Sequence, residues 1–188
     1  MAPPGGFSAL AARHSERARV DAYRAPSFLN GMIAPGQKLD PSLPLSIVRE
    51  GAEEKTTLGQ LLRRRTILSV YMKNNTPGCD RQMDSLAAAA AAFGRAGYDV
   101  VAVSRDSCGS HLRYAAKKKL SYTLVSDPDD ALARATDSLV EKSMYGRTYT
   151  GPARSAYVLE PDGTVLAVVE KVDTKDHAAQ LRAVLKGL

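Results

Sequence analysis

From Gly36 onward the chain alternates short, dense apolar runs with longer amphipathic ones. Leu43 to Val48 and Thr66 to Met72 read as strands, separated by a polar segment and a helical stretch over Thr57 to Leu62. Ile67-Leu68-Ser69-Val70-Tyr71-Met72 is nearly continuous in apolar character, which fits an interior parallel strand covered on both faces. It is expected at the centre of the sheet. Met83, Leu86, Ala90 and Phe93 then recur at steps of three and four, so Thr76 to Ala96 is predicted as one helix with a single apolar stripe, stopped by Gly97. Tyr98 to Ser104 gives a second buried strand, Ser110 to Lys119 a second helix and Leu120 to Ser126 a third strand. Asp127-Pro128-Asp129 opens a further helix, with acidic groups where the helix dipole favours them.

The closing section changes pattern. Arg154 to Leu159 and Thr164 to Val169 read as strands bridged by Glu160-Pro161-Asp162-Gly163, in which proline sets φ and glycine accepts a positive one. A helix over Thr174 to Leu185 ends the chain. The order βαβαβα followed by ββα predicts an α/β, thioredoxin-like fold: a mixed central sheet with helices on both faces. Residues 1–30 are Pro/Gly-rich, then alanine- and arginine-rich with weak helical patterning. They are expected as an N-terminal extension, helical or disordered, ahead of one domain over residues 31–188.

Composition narrows the chemistry. The 188 residues are 44% hydrophobic and 24% charged with a formal net charge of +6, a globular balance. No apolar run approaches the ~20 residues of a membrane-spanning helix. The first 30 residues lack the apolar core of a secretory signal, and Glu16 and Asp21 do not suit an organelle presequence, so a cytoplasmic location is expected. The clusters Arg63-Arg64-Arg65 and Lys117-Lys118-Lys119 are short and poor in aromatic neighbours, which fits solvated faces better than nucleic-acid contact. His14, His111 and His177 are scattered, and two cysteines are too few for a disulfide scaffold or a four-thiolate zinc site. No metal is expected.

The sharpest local feature is Thr76-Pro77-Gly78-Cys79, between the central strand and the first long helix. Thr76 suits the N-cap and Pro77 the first helical position, which puts Cys79 third, where backbone N–H groups have no helical partner and a thiolate is stabilised. Lowering a cysteine pKa from ~8.5 to ~6 raises the thiolate fraction at pH 7 from roughly 3% to about 90%. The spacing alone equally allows a capped helix with a cysteine packed beneath it.

The run Tyr71-Met72-Lys73-Asn74-Asn75-Thr76-Pro77-Gly78-Cys79 resembles the active-site stretch of the peroxiredoxins, in particular the bacterioferritin comigratory protein or peroxiredoxin Q subfamily. Three further segments match in the same order: Val103-Ser104-Arg105-Asp106-Ser107 with Ser110-His111, Leu124 to Pro128, and Gly151-Pro152-Ala153-Arg154-Ser155 leading into Tyr157-Val158-Leu159. The resemblance spans Gly36 to Leu188. It implies a thiol peroxidase in which Cys79 attacks a hydroperoxide and becomes a sulfenic acid, with Thr76 and Arg154 as catalytic helpers. It further implies that Tyr71, Met72, Pro77 and Gly78 shape the substrate pocket. No metal, flavin or nicotinamide is needed, a thiol reductant such as thioredoxin is the expected partner, and a monomer or weak homodimer is the expected assembly.

Two positions depart from the family pattern. Met72 stands where relatives carry proline, and its thioether is itself oxidisable. Asp84 stands where many relatives carry a second, resolving cysteine. Cys108, expected in the loop after the second buried strand, is the available substitute, as in some peroxiredoxin Q relatives. A one-cysteine enzyme reduced by an outside thiol, and a degenerate binding module using its basic surface, remain as alternatives.

Overall fold

The computed structural model describes residues 31–144 and 146–188; the extension expected over residues 1–30 lies outside them. In chain order the elements are β1 (Pro44–Arg49), β2 (Ala52–Thr57), α1 (Leu58–Leu61), β3 (Arg65–Val70), α2 (Pro77–Arg95), β4 (Tyr98–Ser104), α3 (Cys108–Lys118) and β5 (Thr123–Ser126). They continue with α4 (Ala131–Ala135), β6 (Leu139–Met144), β7 (Arg147–Pro152), β8 (Ala156–Leu159), β9 (Val165–Val169) and α5 (His177–Leu185).

Seven strands form one mixed sheet in the order β2-β1-β5-β4-β3-β8-β9, and β6 and β7 pair apart from it as a two-stranded ribbon. The apolar run at Ile67 accounts for the centre. β3 lies parallel to β4 on one side and antiparallel to β8 on the other, and each of its faces is covered by a separate core, so both must be apolar. Side chains of β3 alternate between two cores. Ile67 and Tyr71 pack with Met83, Leu86 and Phe93 of α2 and Leu181 of α5. Leu68 and Val70 pack with Leu58 of α1 and Leu132 of α4. Leu68 is fully buried, and truncating such a side chain to alanine costs about 2–5 kcal/mol.

Two elements escape the hydrophobic pattern. β2 reads Ala-Glu-Glu-Lys-Thr-Thr and is mostly exposed; it pairs only with β1, at the sheet edge, where charged side chains are tolerated and deter further pairing. The β6–β7 ribbon is also mostly exposed, and it reaches the rest of the fold through Lys142 at Met72 and through Thr150 O, which accepts from Arg105.

One boundary corrects the sequence reading. α3 begins at Cys108, not Ser110, because Ser107 takes the N-cap and accepts the Ser110 N–H at 3.3 Å. Cys108 is therefore a first-turn helical residue, and the loop placement was wrong. The predicted stop of α2 holds: Gly97 has φ +91°, a conformation glycine adopts without strain.

Candidate active site

The site forms where β3 ends and α2 begins. Pro77 is the first residue of α2, Gly78 the second and Cys79 the third, and the Asp80 N–H closes the first turn on Thr76 O at 2.8 Å. Thr76 takes the N-cap position, but its hydroxyl donates to Lys73 O at 2.9 Å and makes no cap to the helix. That leaves the hydroxyl oxygen beside Cys79. Arg154 precedes β8, and its Nη2 lies 3.4 Å from Cys79 Sγ. Residues 75 positions apart in the chain are thus in contact. Burial pushes the Cys79 thiol up, yet the neighbouring Thr76 side chain, the Lys73 backbone and the Arg154 fork with its charge hold it below the ordinary thiol range. The cysteine is 1% exposed, so the sulfur lies at the bottom of the site.

A guanidinium on a flexible stem is useful only where it is fixed. The other arm of Arg154, Nη1, donates to Gln82 Oε1. Gln82 is fully buried; its amide nitrogen donates to Ser69 Oγ at 2.9 Å and Val70 O at 3.2 Å, which fixes which end faces Arg154. Ser69 in turn lies 3.0 Å from His177 Nε2, at the start of α5. Every link is a polar group closed off from water and satisfied, since no buried side-chain nitrogen or oxygen among the described residues lacks a partner. Among those residues no carboxylate forms an ion pair with Arg154. Held by an amide dipole, it keeps its full charge for the sulfur.

A second polar cluster sets the loop before Thr76. The Asp106 carboxylate accepts the Asn74 N–H at 2.9 Å and the Ser104 and Ser110 hydroxyls at 2.7 and 3.3 Å. Asn74 accepts the Tyr71 hydroxyl at 2.6 Å and donates to Ser110 Oγ at 3.0 Å. The segment around Ser104, Asp106 and Ser110 therefore clamps the loop that delivers Thr76 and Cys79. Asn75 completes the turn with φ +58°, and Lys117 of α3 donates to its side chain at 2.8 Å.

The remaining expected residues fall as follows. Tyr71 is fully buried, with its hydroxyl turned to Asn74 and His111, so it forms the wall behind the loop and not an open surface. Gly78 lies below Arg154; a Cβ there would sit 3.8 Å from Nη2, in ordinary contact. Pro77 is exposed at the helix start. Met72 is half-buried, and its sulfur touches the Lys142 ammonium of β6 at 2.7 Å. Asp84 pairs with Lys118 of α3 at 3.0 Å. Cys79 and Cys108 are both free, buried thiols of one core cluster, and no disulfide joins them. Cys108 lines a groove with Leu45, Glu53, Lys55 and Pro128, on the β2-β1-β5 side of the sheet. Burial and the neighbouring Glu53 charge push its thiol up.

Three partners were missed by sequence reasoning: Gln82, His177 and Lys142. Ser69 carried a signal, because a hydroxyl inside a continuous apolar strand must find a buried partner. Gln82 carried another, lying three residues after Cys79 and hence on the same helix face. Nothing local marks His177 or Lys142.

A dithiol redox site on this fold would carry a second cysteine three residues after the first; that place is taken by Gln82. A lone sulfur stands at the head of this helix, faced by a fixed arginine, and it is the family and its relatives that make the chain an enzyme of the peroxiredoxin class. The chain belongs to the AhpC/TSA family, whose model matches residues 35–168. It is 38% identical over 144 residues to Peroxiredoxin Bcp of Xanthomonas campestris pv. campestris, covering 77% of this chain and 88% of that one. It is 32% identical over 124 residues to Peroxiredoxin Bcp of Escherichia coli K12, covering 66% and 80%. A solved structure of the Xanthomonas campestris bacterioferritin comigratory protein, described for its alkyl peroxide reduction activity and a trapped intermediate/ligand complex, superposes with a TM-score of 0.73 at 35% identity. That match covers 82% of this chain and 98% of that one. Among the described residues no helix is long and apolar enough to cross a membrane.

Proposed function

We propose that this chain reduces hydrogen peroxide and organic hydroperoxides through Cys79. The thiolate attacks the terminal oxygen of ROOH; the S–O bond forms as the O–O bond breaks, and the electron pair leaves on the alkoxide, which takes a proton from water. The products are a Cys79 sulfenic acid and an alcohol, or water when R is hydrogen. Arg154 stabilises both the thiolate and the charge growing on the leaving oxygen, while the Thr76 hydroxyl, once turned from Lys73 O, donates to sulfur or peroxide. Supporting this above all is the 3.4 Å contact between Arg154 Nη2 and Cys79 Sγ, with the opposite arm of the fork anchored.

In this reading a thiol reductant of the thioredoxin kind restores Cys79, through a disulfide with Cys108. A disulfide needs Cα atoms ~4.4–6.8 Å apart. Both cysteines sit in the first turns of helices, so the bond requires those turns to unwind. That Cys108 lines a groove formed with β1 and β2 supports a second route, direct reduction of the sulfenic acid by the external thiol.

Stopped-flow mixing with hydrogen peroxide and with an organic hydroperoxide tests the chemistry: Cys79→Ser is expected to abolish peroxide consumption, and unchanged turnover in that variant would overturn the assignment. Intact mass after one equivalent of peroxide separates the two routes. A loss of about 2 Da that vanishes in Cys108→Ser marks the disulfide; a stable gain of about 16 Da marks the one-cysteine route.

A further inference from the structure

The β6–β7 ribbon brings a second cation and a second sulfur to the rim of the site. Met72 directly precedes the loop of Lys73 to Asn75 and packs against the core cluster that contains Cys79. Its thioether lies 2.7 Å from Lys142 Nζ, which also donates to Pro152 O at 2.5 Å, two residues before Arg154. Lys142 forms no ion pair among the described residues. An ammonium has three protons to donate, and a thioether is a weak acceptor for one of them. Burial, then the charges of Arg154 and Arg105, disfavour the ammonium, with the Cys79 charge acting the other way. One proton of a half-buried cation is thus spent on an acceptor far poorer than the carbonyl that takes another.

We propose that Met72 is a second oxidation site, converted to its sulfoxide by the hydroperoxide that enters for Cys79 and held in that form by Lys142. The proposal rests on the peroxidase reading for the supply of oxidant. The thioether lone pair attacks the terminal oxygen of ROOH, the S–O bond forms as the O–O bond breaks, and the electron pair departs on RO⁻. The proton of the transferred hydroxyl passes to RO⁻ through Lys142 or solvent, giving sulfoxide and ROH; sulfur loses two electrons and the peroxide gains them. Lys142 assists twice. Its positive charge stabilises the departing alkoxide, as Arg154 does for Cys79. The polar sulfoxide oxygen then offers the ammonium a strong acceptor in place of a weak one. Cys79 is the faster nucleophile, so Met72 oxidises when peroxide outruns the thiol reductant. Met83 provides the internal contrast: fully buried, with its sulfur 3.5 Å from the Tyr122 hydroxyl.

Trypsin separates the sulfurs: residues 66–73 carry Met72, residues 74–81 carry Cys79 and residues 82–95 carry Met83. The folded protein is exposed to excess hydrogen peroxide, quenched at intervals, digested and weighed, as wild type and as Cys79→Ser. The 66–73 peptide is expected to gain about 16 Da at least tenfold faster than the 82–95 peptide, in both proteins, and to lose it on treatment with methionine sulfoxide reductases. Lys142→Gln should slow the gain about tenfold and Lys142→Arg should preserve it, which separates the role of the cation from damage to the ribbon. Equal rates at Met72 and Met83, or a rate indifferent to Lys142→Gln, would overturn the proposal. The 74–81 peptide of the wild type reports the peroxidase reading separately: if it stays unoxidised while 66–73 gains oxygen, that reading fails and Met72 oxidation stands.

Discussion

The Ser69 hydroxyl lies 3.0 Å from His177 Nε2, and hydroxyl is the donor there. The Gln180 amide nitrogen is committed to Lys171 O at 2.8 Å, so its oxygen faces His177 Nδ1 at 3.3 Å and receives the ring N–H. Nε2 is left as an acceptor. The line from α5 to Arg154 therefore has a fixed polarity: imidazole accepts from serine, serine from Gln82, and Gln82 from the guanidinium. Only neutral His177 supports it.

His177 makes the protein sensitive to acid. Burial above all lowers its pKa to about 4; the Gln180 hydrogen bond opposes this, the Arg154 charge adds to it, and the Asp173 charge works against it. The folded state thus resists a proton that the unfolded chain binds below about 6.5. Its contribution is fully present above pH 6.5 and is lost as pH falls toward 4, amounting to about 3 kcal/mol. Urea midpoints measured from pH 7 to pH 4 should show this slope in the wild type and a shallower one in His177→Gln. Parallel curves would remove His177 as the cause.

Replacing Gln82 by glutamate places a carboxylate against the guanidinium. The pair neutralises the charge that Cys79 sees, so the thiol pKa should rise by about one unit and peroxide reactivity at pH 7 should fall up to tenfold. The pH dependence of alkylation of Cys79 by iodoacetamide, in a Cys108→Ser background, reads the shift directly. An unmoved profile would show that Arg154 acts on sulfur regardless of its partner.

Arg154→Ala is expected to slow sulfenic acid formation by about 10²–10³, as loss of a preorganised charge donor does elsewhere. It also leaves Gln82 Oε1 buried without a partner, a cost of about 1–3 kcal/mol. Arg154→Lys keeps the charge but cannot reach sulfur and amide together, so its rate should lie between. Single-turnover kinetics and a thermal melt measure the two effects independently.

Asp106→Ala removes the acceptor for Asn74 N–H and for the Ser104 and Ser110 hydroxyls. A stability loss of about 2–3 kcal/mol is expected, with faster amide exchange at Lys73 to Cys79. Exchange confined to other segments would show that the loop does not depend on this carboxylate.

The parts of the fold visible in the sequence are those where water exclusion dictates the side chains. β3, β4 and the apolar stripe of α2 are interior, so their residues carry the pattern. β2 and the β6–β7 ribbon are exposed at most of their described positions, and for them pairing geometry decides what hydrophobicity does not. The site divides in the same way. Thr76, Pro77, Gly78 and Cys79 are contiguous and declare a helix start, and Arg154 was placed by family resemblance. Gln82 was within reach of helical spacing; His177 and Lys142 meet the site only through the folding of distant elements, and one-dimensional reasoning has no handle on them. The start of α3 was missed because both Ser107 and Ser110 are plausible caps, and the choice is made by Asp106 tying down the residues before it.

The ribbon of β6 and β7 shares no ladder with the main sheet. β7 nonetheless leads straight into Ala153 and Arg154, and Lys142 of β6 grips the last carbonyl of β7 at Pro152, so the ribbon helps to place the guanidinium that faces Cys79. Insertions, shortening or charge changes in the ribbon are therefore expected to shift Arg154 against Cys79 while leaving the ladders of the main sheet intact.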